Sequence, residues 1–163
     1  MKETLKKFIN LGNYYKYSSV GYTLSSGHIK NTYFDIKGAS LNSDILFLIT
    51  KFFYKEIEGN FCNTALAGID VGSSILLGSL MNLAYIRGHE PRATLLRKSK
   101  KKYGLERLIE NPLPSCTNII LIDDVITTGA SIEECCNELK NIGNNVIKIL
   151  AVIDRNIGGK EYL

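Results

Sequence analysis

Apolar positions along the chain follow two different periods. Between residues 42 and 58, Ile45, Leu46, Leu48, Ile49, Phe52 and Phe53 recur at helical spacing, and Asn42 or Ser43 stands where a first-turn cap belongs. Residues 2–10 repeat the pattern on a smaller scale through Leu5, Phe8 and Ile9. From 20 to 38 the pattern changes. Tyr22, Leu24, Tyr33, Phe34 and Ile36 predict two short strands around a turn at Ser25-Ser26-Gly27. The second half alternates more regularly. Runs at 64–69, 93–96, 119–122 and 146–153 read as buried strands, with helices over 74–86 and from about 131 to 141 between them. This order predicts one α/β domain with a mainly parallel sheet.

Polar residues follow the ends of four successive strands: Asp70 with Gly72, Arg97 with Lys98, Asp123 with Asp124, and Asp154 with Arg155. In open α/β sheets ligands bind outside those carboxyl ends. One such loop would carry no information, since loops are polar in general. Four on one sheet edge point to a ligand.

Composition narrows the ligand. With 163 residues, 45% hydrophobic and 22% charged, the chain can bury a core without disulfide or metal staples. No apolar run approaches the length of a spanning helix, and the N-terminus lacks the apolar core of a signal peptide. A cytoplasmic, membrane-free protein is expected. Cys62, Cys116, Cys135 and Cys136 have no zinc-type spacing, and with only 2 histidines they read as ordinary reduced thiols. The net charge is +4, and much of the excess sits in Lys98, Lys100, Lys101 and Lys102. A basic cluster beside carboxylates suits a small phosphorylated molecule better than nucleic acid.

The segment Asn118-Ile-Ile-Leu-Ile-Asp-Asp-Val-Ile-Thr-Thr-Gly-Ala-Ser131 carries the chemistry. A buried strand presents Asp123 and Asp124 at its end, and small hydroxyl residues with a glycine then open a helix. Backbone N–H groups of 127–131, with the hydroxyls of Thr127, Thr128 and Ser131, can cradle a phosphate. Gly129 lets the main chain approach the anion. The carboxylates suit sugar hydroxyls or a metal ion. A phosphorylated ribose satisfies both halves.

The acidic pair followed by Val125, Ile126, Thr127, Thr128, Gly129, Ala130 and Ser131 resembles the phosphoribosyl pyrophosphate (PRPP) signature of type I phosphoribosyltransferases. The resemblance extends to orotate phosphoribosyltransferases over residues 20–155. Tyr22-Thr-Leu-Ser-Ser-Gly27 and Tyr33-Phe34-Asp35-Ile36-Lys37 are similar to that family's hood. Gly68-Ile-Asp-Val-Gly-Ser73 resembles its pyrophosphate-binding loop, and Arg97 to Gly104 with Arg107 to Glu110 its catalytic loop.

The resemblance implies a single domain of Rossmann-like type I phosphoribosyltransferase fold with helices on both faces of the sheet, a small N-terminal hood over about 1–40 and a core over about 41–163, and transfer of phosphoribosyl from PRPP to orotate. It implies catalytic roles for Lys101, Asp123 and Asp124. It places PRPP on Asp70, Val71, Gly72, Ser73, Arg97, Lys98, Lys101 and residues 123–131. The base falls to Ser25, Tyr33, Phe34, Thr127 and Arg155, whose guanidinium suits a bidentate grip on a carboxylate. Mg²⁺ is implied as cofactor, held mainly by substrate and water with Asp123 or Asp124 beside it. A homodimer with shared active sites is implied as well.

Two positions depart from the family pattern. Ser25 stands where orotate enzymes usually carry a lysine that reaches the PRPP–base region, and Tyr103 stands where a histidine is common. His28 lies three residues beyond Ser25 and reads as a surface histidine. The missing lysine leaves open a phosphoribosyltransferase for another nucleobase, or a non-catalytic PRPP-binding regulator.

Overall fold

The structure is a computed structural model that describes residues 6–7, 9–10, 12–24, 27–97 and 108–157. Of the N-terminal helix expected over 2–10, the described residues Lys6, Lys7, Ile9 and Asn10 are helical. A two-stranded antiparallel hood follows, β1 (Tyr15–Thr23) with β2 (Ile29–Phe34). Its ladder shifts register between Tyr17 and Tyr22, and Gly21 sits there at φ 86°. A Cβ on Gly21 would lie 2.5 Å from Ile29 Cγ2, so glycine is required on both counts. Cross-strand rings hold the hairpin, with Tyr15 and Phe34 centroids 5.2 Å apart and Tyr22 and Tyr33 5.5 Å apart.

The strand expected to run through Ile36 stops at Phe34. Asp35 instead caps a short helix, α1 (Ile36–Ser40), by accepting the Gly38 N–H at 3.0 Å. Asn42 caps α2 (Ser43–Ile57) as the sequence suggests, accepting the Asp44 and Ile45 N–H groups at 3.1 and 3.3 Å. A 3₁₀ turn (Glu58–Asn63) leads into β3 (Thr64–Ile69). Then come α3 (Asp70–Ile86), β4 (Ala93–Leu96), β5 (Ile109–Glu110), β6 (Asn118–Ile126), α4 (Ala130–Asn141) and β7 (Asn145–Asp154).

The core sheet is five-stranded in the order β5-β4-β3-β6-β7, parallel except for the β4–β5 edge pair. The chain leaves β3 in one direction, to β4, and returns to its other side at β6. That reversal puts a topological switch point at the carboxyl ends of β3 and β6.

Period-two alternation sorts the core onto both sheet faces. Leu66, Ile120, Ile122 and Leu150 meet Ile45, Ile49 and Phe53 of α2 and Leu76, Leu77 and Leu80 of α3. Ala65, Ala67, Ile119 and Leu121 meet Ile132, Cys135 and Leu139 of α4 on the other side. Full burial of a side chain such as Phe53 or Leu121 contributes roughly 1.5–3 kcal/mol before entropic losses. Helices on both faces explain why the strands read as nearly continuous apolar runs.

Two expected boundaries move. Asp123 and Asp124 do not follow the β6 strand but lie inside it, because pairing with β7 continues through Val125↔Ile153 to Ile126↔Asp154. The segment from Asp70 to Ser73 is the first turn of α3, which starts four residues before the expected Ser74. Among the described residues no helix is long and apolar enough to cross a membrane.

Candidate active site

At the switch point, two helices begin without a side-chain cap. Asp70 opens α3 directly after β3, in the left-handed region at φ 58°, and no side chain caps the first turn. A non-glycine residue held there costs about 1–2 kcal/mol. Gly129, at φ 86°, is the cap residue of α4 and offers no side chain either. The nearest substitute is a long 3.5 Å contact from the Ala130 N–H to Thr128 Oγ1. The two positive helix ends therefore lie at the carboxyl edges of neighbouring strands, open to anions.

Between them stand the carboxylates. Asp123 Oδ1 accepts the Asp124 N–H at 2.9 Å, and Asp124 Oδ1 accepts the Val125 N–H at 2.9 Å. These bonds orient both groups. Asp123 is buried and Asp124 half-buried. Asp124 reaches across to the α3 turn: a Cβ on Gly72 would lie 2.5 Å from its Oδ2. Glycine at 72 is what lets the carboxylate sit against that turn. Ser73 locks the same corner, fully buried, with its hydroxyl donating to the Ile69 carbonyl at 2.7 Å. Gly68 matches it, since a Cβ there would meet Ser73 Oγ at 2.8 Å. Asp70, Val71 and the first-turn N–H groups are what this corner can offer a ligand.

Residues 123–131 form one wall of a cleft of about 540 Å³. Thr23, Leu24, Tyr33 and Phe34 of the hood form the other, with Arg155 between. The Arg155 Nη1 donates to the Thr32 carbonyl at 3.0 Å, and its guanidinium lies 5.4 Å from the Phe34 ring centre. Its Nε is buried with no hydrogen-bond partner among the described residues. Burial lowers its proton affinity below the ordinary arginine value, while the nearby Tyr33 acts in the opposite direction. A buried guanidinium edge without an acceptor suits an incoming carboxylate.

The structure thus gathers Tyr33, Phe34, residues 123–131 and Arg155 around one cleft, with Gly72 in contact from behind. Arg97 is not among the cleft-lining residues. Its Nε donates to Glu110 Oε1 at 3.0 Å, and its N–H to the Leu108 carbonyl at 2.8 Å. Ser25, Lys98 and Lys101 lie outside the described residues. Lys37, Ile132 and Glu134 line the cleft without having been singled out from the sequence. For Lys37 a signal existed, since it closes the hood run that begins at Tyr33.

The donors at the site are carboxylate oxygens, the type that Mg²⁺ takes, and Mg²⁺ usually keeps several waters and substrate oxygens. Among the described residues no group of three or more metal-type side chains gathers. The Asp123–Asp124 pair fits a cation carried largely by its substrate.

A parallel sheet with a phosphate cradle and a carboxylate pair at its switch point defines a class, the α/β proteins that bind phosphorylated sugars or nucleotides. Comparison with known proteins narrows it. The family model of the phosphoribosyl transferase domain matches residues 40–162. An orotate phosphoribosyltransferase of Methanococcus maripaludis is 34% identical over 144 residues, covering 87% of this chain and 75% of the relative. The crystal structure of a Corynebacterium diphtheriae phosphoribosyltransferase superposes with a TM-score of 0.78 at 22% identity, over 99% of this chain and 87% of that one. The Mycobacterium tuberculosis H37Rv orotate phosphoribosyltransferase in complex with PRPP gives 0.71 at 21% identity, over 99% and 87%. The chain belongs to the phosphoribosyltransferase family and, within it, to the orotate phosphoribosyltransferases.

Proposed function

We propose that the chain transfers the phosphoribosyl group of PRPP to orotate, giving orotidine 5′-monophosphate and pyrophosphate. The observation that carries this reading is the composition of one cleft. An uncapped helix end and two carboxylates form one wall, and an aromatic hood with a buried arginine edge forms the other. Residues 127–131 hold the 5′-phosphate on the α4 N-terminus. Asp123 and Asp124 bind the ribose hydroxyls and favour positive charge on the sugar as its bond to pyrophosphate breaks. The Asp70–Ser73 turn at the α3 N-terminus, with Arg97, Lys98 and Lys101, takes the pyrophosphate as negative charge grows there. Tyr33 and Phe34 flank the pyrimidine and Arg155 grips its carboxylate.

The pyrimidine nitrogen bonds to the anomeric carbon, the carbon–oxygen bond to pyrophosphate breaks, and the nitrogen's proton leaves to solvent. Catalysis is positioning and electrostatics, with no protein nucleophile. Mg²⁺ bound by substrate oxygens beside Asp123 and Asp124 would neutralise the pyrophosphate. A cytoplasmic homodimer, with the Arg97 to Gly104 segment of each subunit serving the neighbouring site, completes the reading.

The test is a spectrophotometric assay with PRPP, Mg²⁺ and orotate, run beside uracil and purine bases. Orotate turnover that falls at least about a hundredfold in Asp124→Asn and Lys101→Ala supports it. Preference for another base moves the assignment to that base. PRPP binding without turnover of any base overturns it in favour of a regulator.

A further inference from the structure

The cleft carries more acids than cations among the described residues. Among the described residues lining it, the acids are Asp123, Asp124 and Glu134 and the cations are Lys37 and Arg155. Arg155 is partly committed, with Nη1 on the Thr32 carbonyl and its face on Phe34. Lys37 is uncommitted. It is exposed, and among the described residues it has no ion-pair or hydrogen-bond partner. The acid nearest in sequence, Asp35, is occupied by the Gly38 N–H at 3.0 Å and by Lys16 at 3.8 Å. Lys37 is also well anchored, because α1 packs against α2, α3 and β6 through the buried Ile36 and Ala39. An ammonium on an anchored turn, facing a cleft with more acids than cations, is placed to receive an anion.

We infer that Lys37 is the specificity-determining cation of the base subsite, presented to the cleft from α1. Lys37 favours an anionic pyrimidine over an uncharged one, while Arg155 sets its orientation. This rests on the proposed function, and the experiment separates the two.

Native chain, Lys37→Arg, Lys37→Gln and Lys37→Ala are assayed with orotate and with uracil at saturating PRPP, then with varied PRPP. The exposed, unpartnered side chain makes equal melting temperatures the expected background. Lys37→Ala and Lys37→Gln are expected to lose about tenfold or more in kcat/KM for orotate through KM, with Lys37→Arg retaining most of it. Residual activity on uracil and the KM for PRPP are expected to stay within about threefold of native. Orotate kinetics unchanged in both neutral variants overturn the inference alone. So does a rise in the KM for PRPP without one for orotate, which would assign Lys37 to phosphate. A native chain that does not turn over orotate overturns the proposed function and this inference with it.

Discussion

Gly72 and Asp124 act as one unit, the carboxylate occupying the space that a side chain at 72 would take. Gly72→Ala brings a Cβ to 2.5 Å from Asp124 Oδ2 and must displace it. We expect kcat/KM to fall about a hundredfold with a melting temperature only a few degrees lower, measured together on one preparation. Arg155 behaves differently. Its unpartnered Nε carries a desolvation cost of about 1–3 kcal/mol that a bound carboxylate relieves. Orotidine 5′-monophosphate should therefore raise the melting temperature of the native chain and do so much less in Arg155→Lys; equal shifts would remove Arg155 from the base subsite. Both residues were legible in the sequence, because a late arginine after a strand and a glycine after an acid are local patterns. Glu134 was not, since only tertiary packing brings the outer face of α4 to the cleft, whereas Lys37 closes the hood run that begins at Tyr33.

At the scale of elements, the type of most was legible and so were some boundaries, with β3 (Thr64–Ile69) and β4 (Ala93–Leu96) falling where the pattern puts them. The buried strands and the long helices announced themselves by period. What local pattern missed was decided by pairing or by caps. β6 runs on to Ile126 because β7 offers partners through Asp154, carrying two aspartates that look like loop residues into the sheet. α1 exists because Asp35 captures the Gly38 N–H, which a strand reading through Ile36 overlooks. β5 is two residues long, and its only identity is its antiparallel pairing with β4. The α4 cap makes an element-scale prediction. At φ 86°, Gly129→Ala should cost about 1–2 kcal/mol of stability and weaken PRPP binding, read by denaturant unfolding and by calorimetry. Unaltered PRPP affinity would separate the helix end from the phosphate.

Among the described residues the molecule comprises a five-stranded sheet between helices and a separate two-stranded sheet, which Arg155 contacts at Thr32. Its assembly is testable by sedimentation, where the proposed shared site requires a dimer at assay concentrations; a monomer with full activity would exclude sharing. Alkaline stability has a named contributor. Burial, and secondarily Glu133, raise the Cys136 pKa above the ordinary thiol value of 9.0. The folded chain therefore holds that proton more tightly than the unfolded chain. The contribution is fully present below the unfolded pKa and is lost as pH rises through the folded one. Melting temperature should fall on the alkaline side of pH 9, and less steeply in Cys136→Ala.

The parallel pairing of β3 with β6, Gly68 against Ile122, has a consequence for how the protein can change. It works as a ruler. Slipping it by one residue would move the α3 turn about 3.3 Å along Asp123 and Asp124 and invert every side chain between the two faces. The separation between the two uncapped helix ends is therefore quantised and closed to gradual adjustment. The hood has no such constraint, being a two-stranded ribbon joined to the sheet edge by contacts such as Arg155 on Thr32. On the proposed reading, the sugar phosphate is held by the part that cannot slip, and the rings of Tyr33 and Phe34 that flank the base belong to the hood or its edge.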